Sequence, residues 1–155
     1  MSTTLRIERR YPYQRALVWR ALTEPALLAR WLMPNDFRPE VGHRFTFRTE
    51  PGPGFDGIVH CEVLEIVPLQ RLVYTWVGGP IDTRISFTLS DCAIDGDGHN
   101  GGAGACRLVV EQSGFTGLRA WLVSRLLALG ARKIYGQRLP QLLASLANGK
   151  TREGA

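Results

Sequence analysis

The sequence predicts an α+β fold, with an antiparallel sheet of about six strands curved around one long C-terminal helix and two short helices after the first strand. Three observations carry that expectation. Six separate runs, residues 4–11, 43–50, 57–67, 71–77, 81–89 and 106–112, have the alternation or the β-branched content of strands. Residues 13–32 place apolar side chains at helical spacing in two groups, divided by Thr23-Glu24-Pro25. Residues 116–148 read as helix and are apolar on more than one side, as in a helix enclosed by other structure.

The first strand sets Leu5 and Ile7 against Arg6 and Glu8. Pro12 suits the first turn of the helix that follows, because a helix makes no use of the amide there. Leu17, Val18, Ala21 and Leu22 form its apolar face. Thr23 offers a capping hydroxyl and Pro25 an opening residue for the second helix, whose face is Leu27, Leu28, Trp31 and Leu32. Among the later strands, Phe45 and Phe47 share a side, as do Leu72, Tyr74 and Trp76. Val59, Cys61 and Val63 take the inner side of their strand, leaving His60 and Glu62 in an outer polar row. Short turns between strands favour antiparallel pairing in sequence order. Gly130, Gly136 and Pro140 should bend or interrupt the long helix. Residues 1–148 are expected to form one domain and 149–155 a flexible tail.

Composition narrows the function classes. At 155 residues, 45% hydrophobic and 21% charged, the chain can bury a core without a disulfide or metal. Cys61, Cys92 and Cys106 lack zinc spacing, and the N-terminus lacks a signal-peptide pattern, so reduced thiols in a cytoplasmic protein are expected. The longest apolar stretch, residues 120–131, contains Arg125 and is too short to span a membrane. The net charge of +5 is concentrated in residues 112–152, which hold seven basic residues and no acid. Arg119, Arg125, Arg132, Lys133 and Arg138 fall at scattered helical angles without interleaved aromatics, which predicts a solvated surface and no nucleic-acid partner. Residues 95–100 look like a calcium loop, but His99, Asn100 and Cys106 stand where an oxygen ligand, a glycine and a glutamate are needed. The glycines of residues 101–104 precede a strand, not a helix, so a phosphate loop is unsupported. No metal site, cofactor or catalytic residue is assigned, and no nucleophile motif is found.

Several short words occur in a particular order: Tyr11-Pro12, Val18-Trp19-Arg20-Ala21-Leu22-Thr23-Glu24-Pro25, Trp31-Leu32, Val41-Gly42, Val63-Leu64-Glu65-Ile66-Val67-Pro68, Arg71-Leu72-Val73-Tyr74-Thr75-Trp76 and Gln112-Ser113-Gly114-Phe115. Together they resemble the START-like (SRPBCC) superfamily, and within it the branch named for homology to the activator of a heat-shock-protein ATPase. The chain departs from that pattern at Gly130-Ala131, where members commonly carry Gly-Trp, and at Gln112, where they often have His. Its loop over residues 91–105 is long for the family. The resemblance implies a helix-grip fold with a cavity between the sheet and the last helix. It also implies ligands such as lipids, hormones or polyketide-like molecules, and for some relatives cyclisation or dehydration chemistry.

The expected function is therefore the binding of a small hydrophobic or amphipathic molecule in that cavity. Trp31, Phe45, Phe47, Trp76, Phe87, Leu122 and Leu126 are the expected apolar walls. Arg125 lies in the helix's apolar stripe, as does Arg132, and could face a carboxylate or enolate there. Its alternative is to snorkel to the surface. A cyclase- or dehydratase-like enzyme would need a polar group in the cavity, for which Arg125, Tyr74 and His60 are the nominees. A co-chaperone-type interaction domain would use the long helix or the outer sheet. Homodimerisation and chaperone contact stay open. A dry cavity favours binding, convergent titratable groups favour catalysis, and a large exposed apolar patch favours an interaction surface.

Overall fold

The computed structural model describes residues 2–92 and 104–153. Its strands are β1 (Ser2–Tyr11), β2 (Arg44–Arg48), β3 (Ile58–Val67), β4 (Arg71–Gly78), β5 (Ile81–Asp91) and β6 (Cys106–Thr116). They form one antiparallel sheet in the order β1-β6-β5-β4-β3-β2, so β2 to β6 follow one another as a meander and β1 closes onto β6. β6 runs four residues beyond the expected 106–112 because a bulge lets it continue: Thr3 pairs with Phe115 and Thr4 with Ser113. Gly114 is the extra residue, at φ 103°, and a Cβ there would lie 3.2 Å from the Asp82 carbonyl oxygen. Alternation holds along the inner face, where Phe45, Phe47, Val59, Cys61, Val63 and Tyr74 are buried. His60 is exposed, and Glu62 beside it pairs with Arg44 at 3.3 Å, so the outer row is polar as expected.

The short helices are α1 (Arg15–Thr23) and α2 (Pro25–Trp31). Two of their ends differ from expectation. α1 starts at Arg15 with Gln14 as its cap, which leaves Pro12 in the bend before the helix. The Thr23 hydroxyl donates to the Trp19 carbonyl at 2.7 Å instead of capping α2, because Thr23 lies in the last turn of α1, where the carbonyl one turn back is within reach. Glu24 takes the cap position and Pro25 opens α2 as predicted. Trp31 ties the pair together: its ring is buried and its Nε1 donates to the Ala21 carbonyl at 2.8 Å.

The long helix comprises α3 (Gly117–Lys133), a wide π-helical turn (Ile134–Arg138) and α4 (Leu139–Glu153). The backbone continues through all three, so the expected interruption takes the form of the wide turn. Pro140 has no amide to give Gly136, and its ring would press on that carbonyl. The turn widens by one residue, and the Leu139 amide bonds back to Ile134. Tyr135 then has a carbonyl without a helical donor, since Leu139 is engaged and Pro140 has none. The Tyr11 hydroxyl, from the end of β1, fills it at 2.7 Å.

The halves of the helix pack differently. Tyr135, Leu139, Leu142 and Leu143 are buried, with the Tyr135 ring 5.6 Å from that of Trp31. Along α3 only Ala120, Ser124 and Ala131 are buried. The enclosure expected of the long helix is therefore divided: α4 buries its leucines in the core beside α1 and α2, whereas α3 meets β1 and β6 through small residues and leaves its leucines exposed.

Tyr11→Phe should cost about 1–3 kcal/mol in urea unfolding, the penalty of a buried acceptor left without a donor. In a Pro140→Ala background the same substitution should cost clearly less, because residue 140 regains an amide. Equal costs in both backgrounds would contradict this assignment.

Candidate ligand cavity

A cavity of about 460 Å³ separates α3 from the β3–β4–β5 end of the sheet. Val59, Trp76, Gly78 and Ile81 form its sheet side, and Leu122, Val123 and Leu127 its helix side. Thr49, Pro53 and Phe55, from the loop after β2, close a third side. Gly78 keeps this wall close: a Cβ would come within 3.1 Å of the Phe55 ring and of the Ile58 carbonyl oxygen, and one of them would have to give way. A smaller cavity of about 160 Å³ lies toward β1 and β6, lined in part by Leu5, Ile7, Val110, Leu126 and Tyr135. Met33, Trp76 and Leu127 line both and form the partition.

Polar groups are few. Arg119, in the first turn of α3, is the charged residue on the larger cavity's wall, and its Nη2 would sit 3.6 Å from a Cβ on Gly54. It has no ion-pair partner among the described residues. In the smaller cavity the polar wall is Gln112. The Thr83 hydroxyl donates its proton to the Trp76 carbonyl at 2.8 Å, so it must accept from Gln112 Nε2 at 2.9 Å. That orients the amide and leaves its oxygen as the acceptor Gln112 can offer. Burial pushes the Tyr135 phenol well above its ordinary pKa, so it is a neutral group at physiological pH.

Trp76 lines both cavities, Leu122 the larger and Leu126 the smaller. The two leucines are nevertheless 51% and 68% exposed. Trp31, Phe45, Phe47 and Phe87 lie elsewhere. They belong to a filled aromatic core, with Tyr74 centred 5.1 Å from Phe45 and 5.6 Å from Phe87. Phe37, from the segment between α2 and β2, packs edge-on against Phe45 at 5.1 Å and completes the filling. These side chains face inward, but the space at that end is occupied by rings and leaves no wall for a ligand. Arg125 takes its surface alternative: it is exposed, with its guanidinium 5.4 Å from the centre of the Trp121 ring. Arg132 is exposed as well.

The three polar nominees for catalysis do not meet. Tyr74 is in the aromatic core, Arg125 is outside α3, and His60 is on the outer face of β3. Arg119 was counted only as a charge, although it sits one turn before Val123, and Leu127 follows one turn later. Val123 and Leu127 face the cavity, with Leu122 at the edge of the outer leucine row. The calcium-like and glycine-rich segments at 95–100 and 101–104 lie almost wholly outside the described residues. Among the described residues no group of His, Cys, Asp or Glu is gathered for a metal, and no helix is long and apolar enough to cross a membrane.

The profile of the family described as Activator of Hsp90 ATPase homolog 1-like protein matches residues 12–144. The crystal structure of protein MLL2253 from Mesorhizobium loti is similar at 32% identity and TM-score 0.76, over 92% of this chain and 98% of that one. DynU16, a protein in the dynemicin biosynthetic locus, is 25% identical with TM-score 0.68, over 91% of this chain and 47% of that one. CalU16 from Micromonospora echinospora shares the fold at 19% identity and TM-score 0.68, over 92% of this chain and 74% of that one. No curated protein matches the sequence.

Proposed function

This chain belongs to the family of Activator of Hsp90 ATPase homolog 1-like proteins, and from that premise we propose that it binds a small apolar or amphipathic molecule between the sheet and α3. The observation that carries this reading is the larger cavity: about 460 Å³, within the usual range for small-molecule sites, and apolar apart from Thr49 and Arg119. The ligand's apolar body would lie against Met33, Trp76, Val123 and Leu127. A carboxylate or other anionic end would meet Arg119 at the rim.

Magnitudes assign the roles. Each buried methylene contributes about 0.8 kcal/mol, so a medium-length chain supplies several kcal/mol. An exposed arginine pairing with a carboxylate contributes about 0–1 kcal/mol. Affinity then comes from the apolar body, and Arg119 orients it. The separation of Tyr74, Arg125 and His60 favours binding over cyclase-like chemistry, which needs convergent acid–base groups.

Dansyl-labelled undecanoic acid should gain fluorescence on binding. Leu127→Trp places a ring where the two cavities meet and should weaken binding at least tenfold, about 1.4 kcal/mol, with far-UV circular dichroism unchanged. Arg119→Ala should weaken it by about fivefold or less. Equal affinity in Leu127→Trp and the parent protein would remove this site from consideration.

A further inference from the structure

We infer that α3 is an interfacial helix whose outward side docks on an anionic lipid surface. Leu118, Leu122, Leu126 and Leu129 are 73%, 51%, 68% and 66% exposed, and Trp121 beside them is 42% exposed. At about 100° per residue, Leu118, Leu122 and Leu129 fall within roughly 40° of one another. Their line is about half a turn from the one that anchors the helix through Ala120, Ser124 and Ala131. The leucines therefore cannot turn inward without unseating α3. Isolated exposed leucines are ordinary, but a continuous row beside a tryptophan marks a contact surface.

The charges identify the partner. Arg125 and Arg132 border one side of the row, Arg119 the other, and Lys133 its C-terminal end. All four are exposed, and among the described residues none has an ion-pair partner. Residues 112–152 contain no acid to neutralise them. An apolar row with cationic borders matches acyl chains flanked by anionic headgroups, and a tryptophan at the boundary suits the headgroup level. A second copy of the chain would bring the same uncompensated cations together. A nucleic acid would neutralise the cations and leave the leucines facing phosphate. The row also adjoins the ligand cavities, since Leu122 lines one and Leu126 the other. Docking goes beyond the binding reading and does not depend on a filled cavity.

The test is co-sedimentation of the full chain with vesicles of phosphatidylcholine alone and of phosphatidylcholine with about one third phosphatidylglycerol. Binding is expected to the anionic vesicles and to fall steeply with salt. Leu118→Gln with Leu129→Gln, two positions that line neither cavity, should reduce vesicle partition at least about tenfold and leave dansyl-undecanoate affinity unchanged. Arg125→Gln with Arg132→Gln should also reduce partition about tenfold or more. Duplex and single-stranded DNA should show no measurable affinity at physiological salt. The inference is overturned if neutral vesicles bind as well as anionic ones, or if the double-leucine variant sediments like the parent. It is equally overturned if the parent is a dimer that this variant dissociates, or if DNA binds with a micromolar, salt-sensitive constant.

Discussion

Pro140 has no amide hydrogen, and the way the long helix is held follows from that. The turn before it widens, the Leu139 amide reaches back to Ile134, and the Tyr135 carbonyl is left for the Tyr11 hydroxyl at 2.7 Å. One side-chain hydrogen bond thus joins the end of β1 to the middle of the helix. Beyond it, Leu139, Leu142 and Leu143 pack into the core. Before it, α3 touches the sheet through small residues and leaves room for the cavities.

The division between filled and hollow space depends on side-chain size. Phe37, Phe45, Phe47 and Tyr74 interlock edge to face, and Phe87 packs at a tilt on Tyr74. Under α3, Ala120 packs with Ile81 and Phe115, and the open space beside them is bounded on the helix side by Leu122, Val123 and Leu127. Among the described residues no charged side chain is buried. Burial pushes the Cys106 thiol up to about 12, and pushes Cys61, Tyr11, Tyr74 and Tyr135 upward too. Such an interior suits an apolar guest and offers little to acid–base chemistry.

Alternation, together with β-branched content, was enough to find the six strands, and alternation placed Cys61 inside and His60 outside. Local hydrogen bonding limited the reading at element ends: Thr23 bonds back within its own helix, and Pro12 stays outside one. Alternation also says which way Phe45, Phe47 and Phe87 point, but not whether the space they enter is already full. α3 posed a different difficulty. It is apolar on two sides, and angular position alone does not say which one turns inward. The side carrying Val123 and Leu127 does, because only there do Ala120, Ser124 and Ala131 allow approach to the sheet. Arg119 lies on the edge of that side, and Arg125 lies on the outer one.

The claim that joins these features is that an apolar guest enters the space between sheet and α3. Isotope-filtered NMR of the labelled protein with unlabelled dodecanoic acid tests it directly, through contacts between acyl protons and protein side chains. The account predicts contacts to the Met33 methyl, the Trp76 ring and the Val123 and Leu127 methyls. Contacts confined to Leu118 and Leu129 would place the acyl chain on the outer surface of α3 and contradict it.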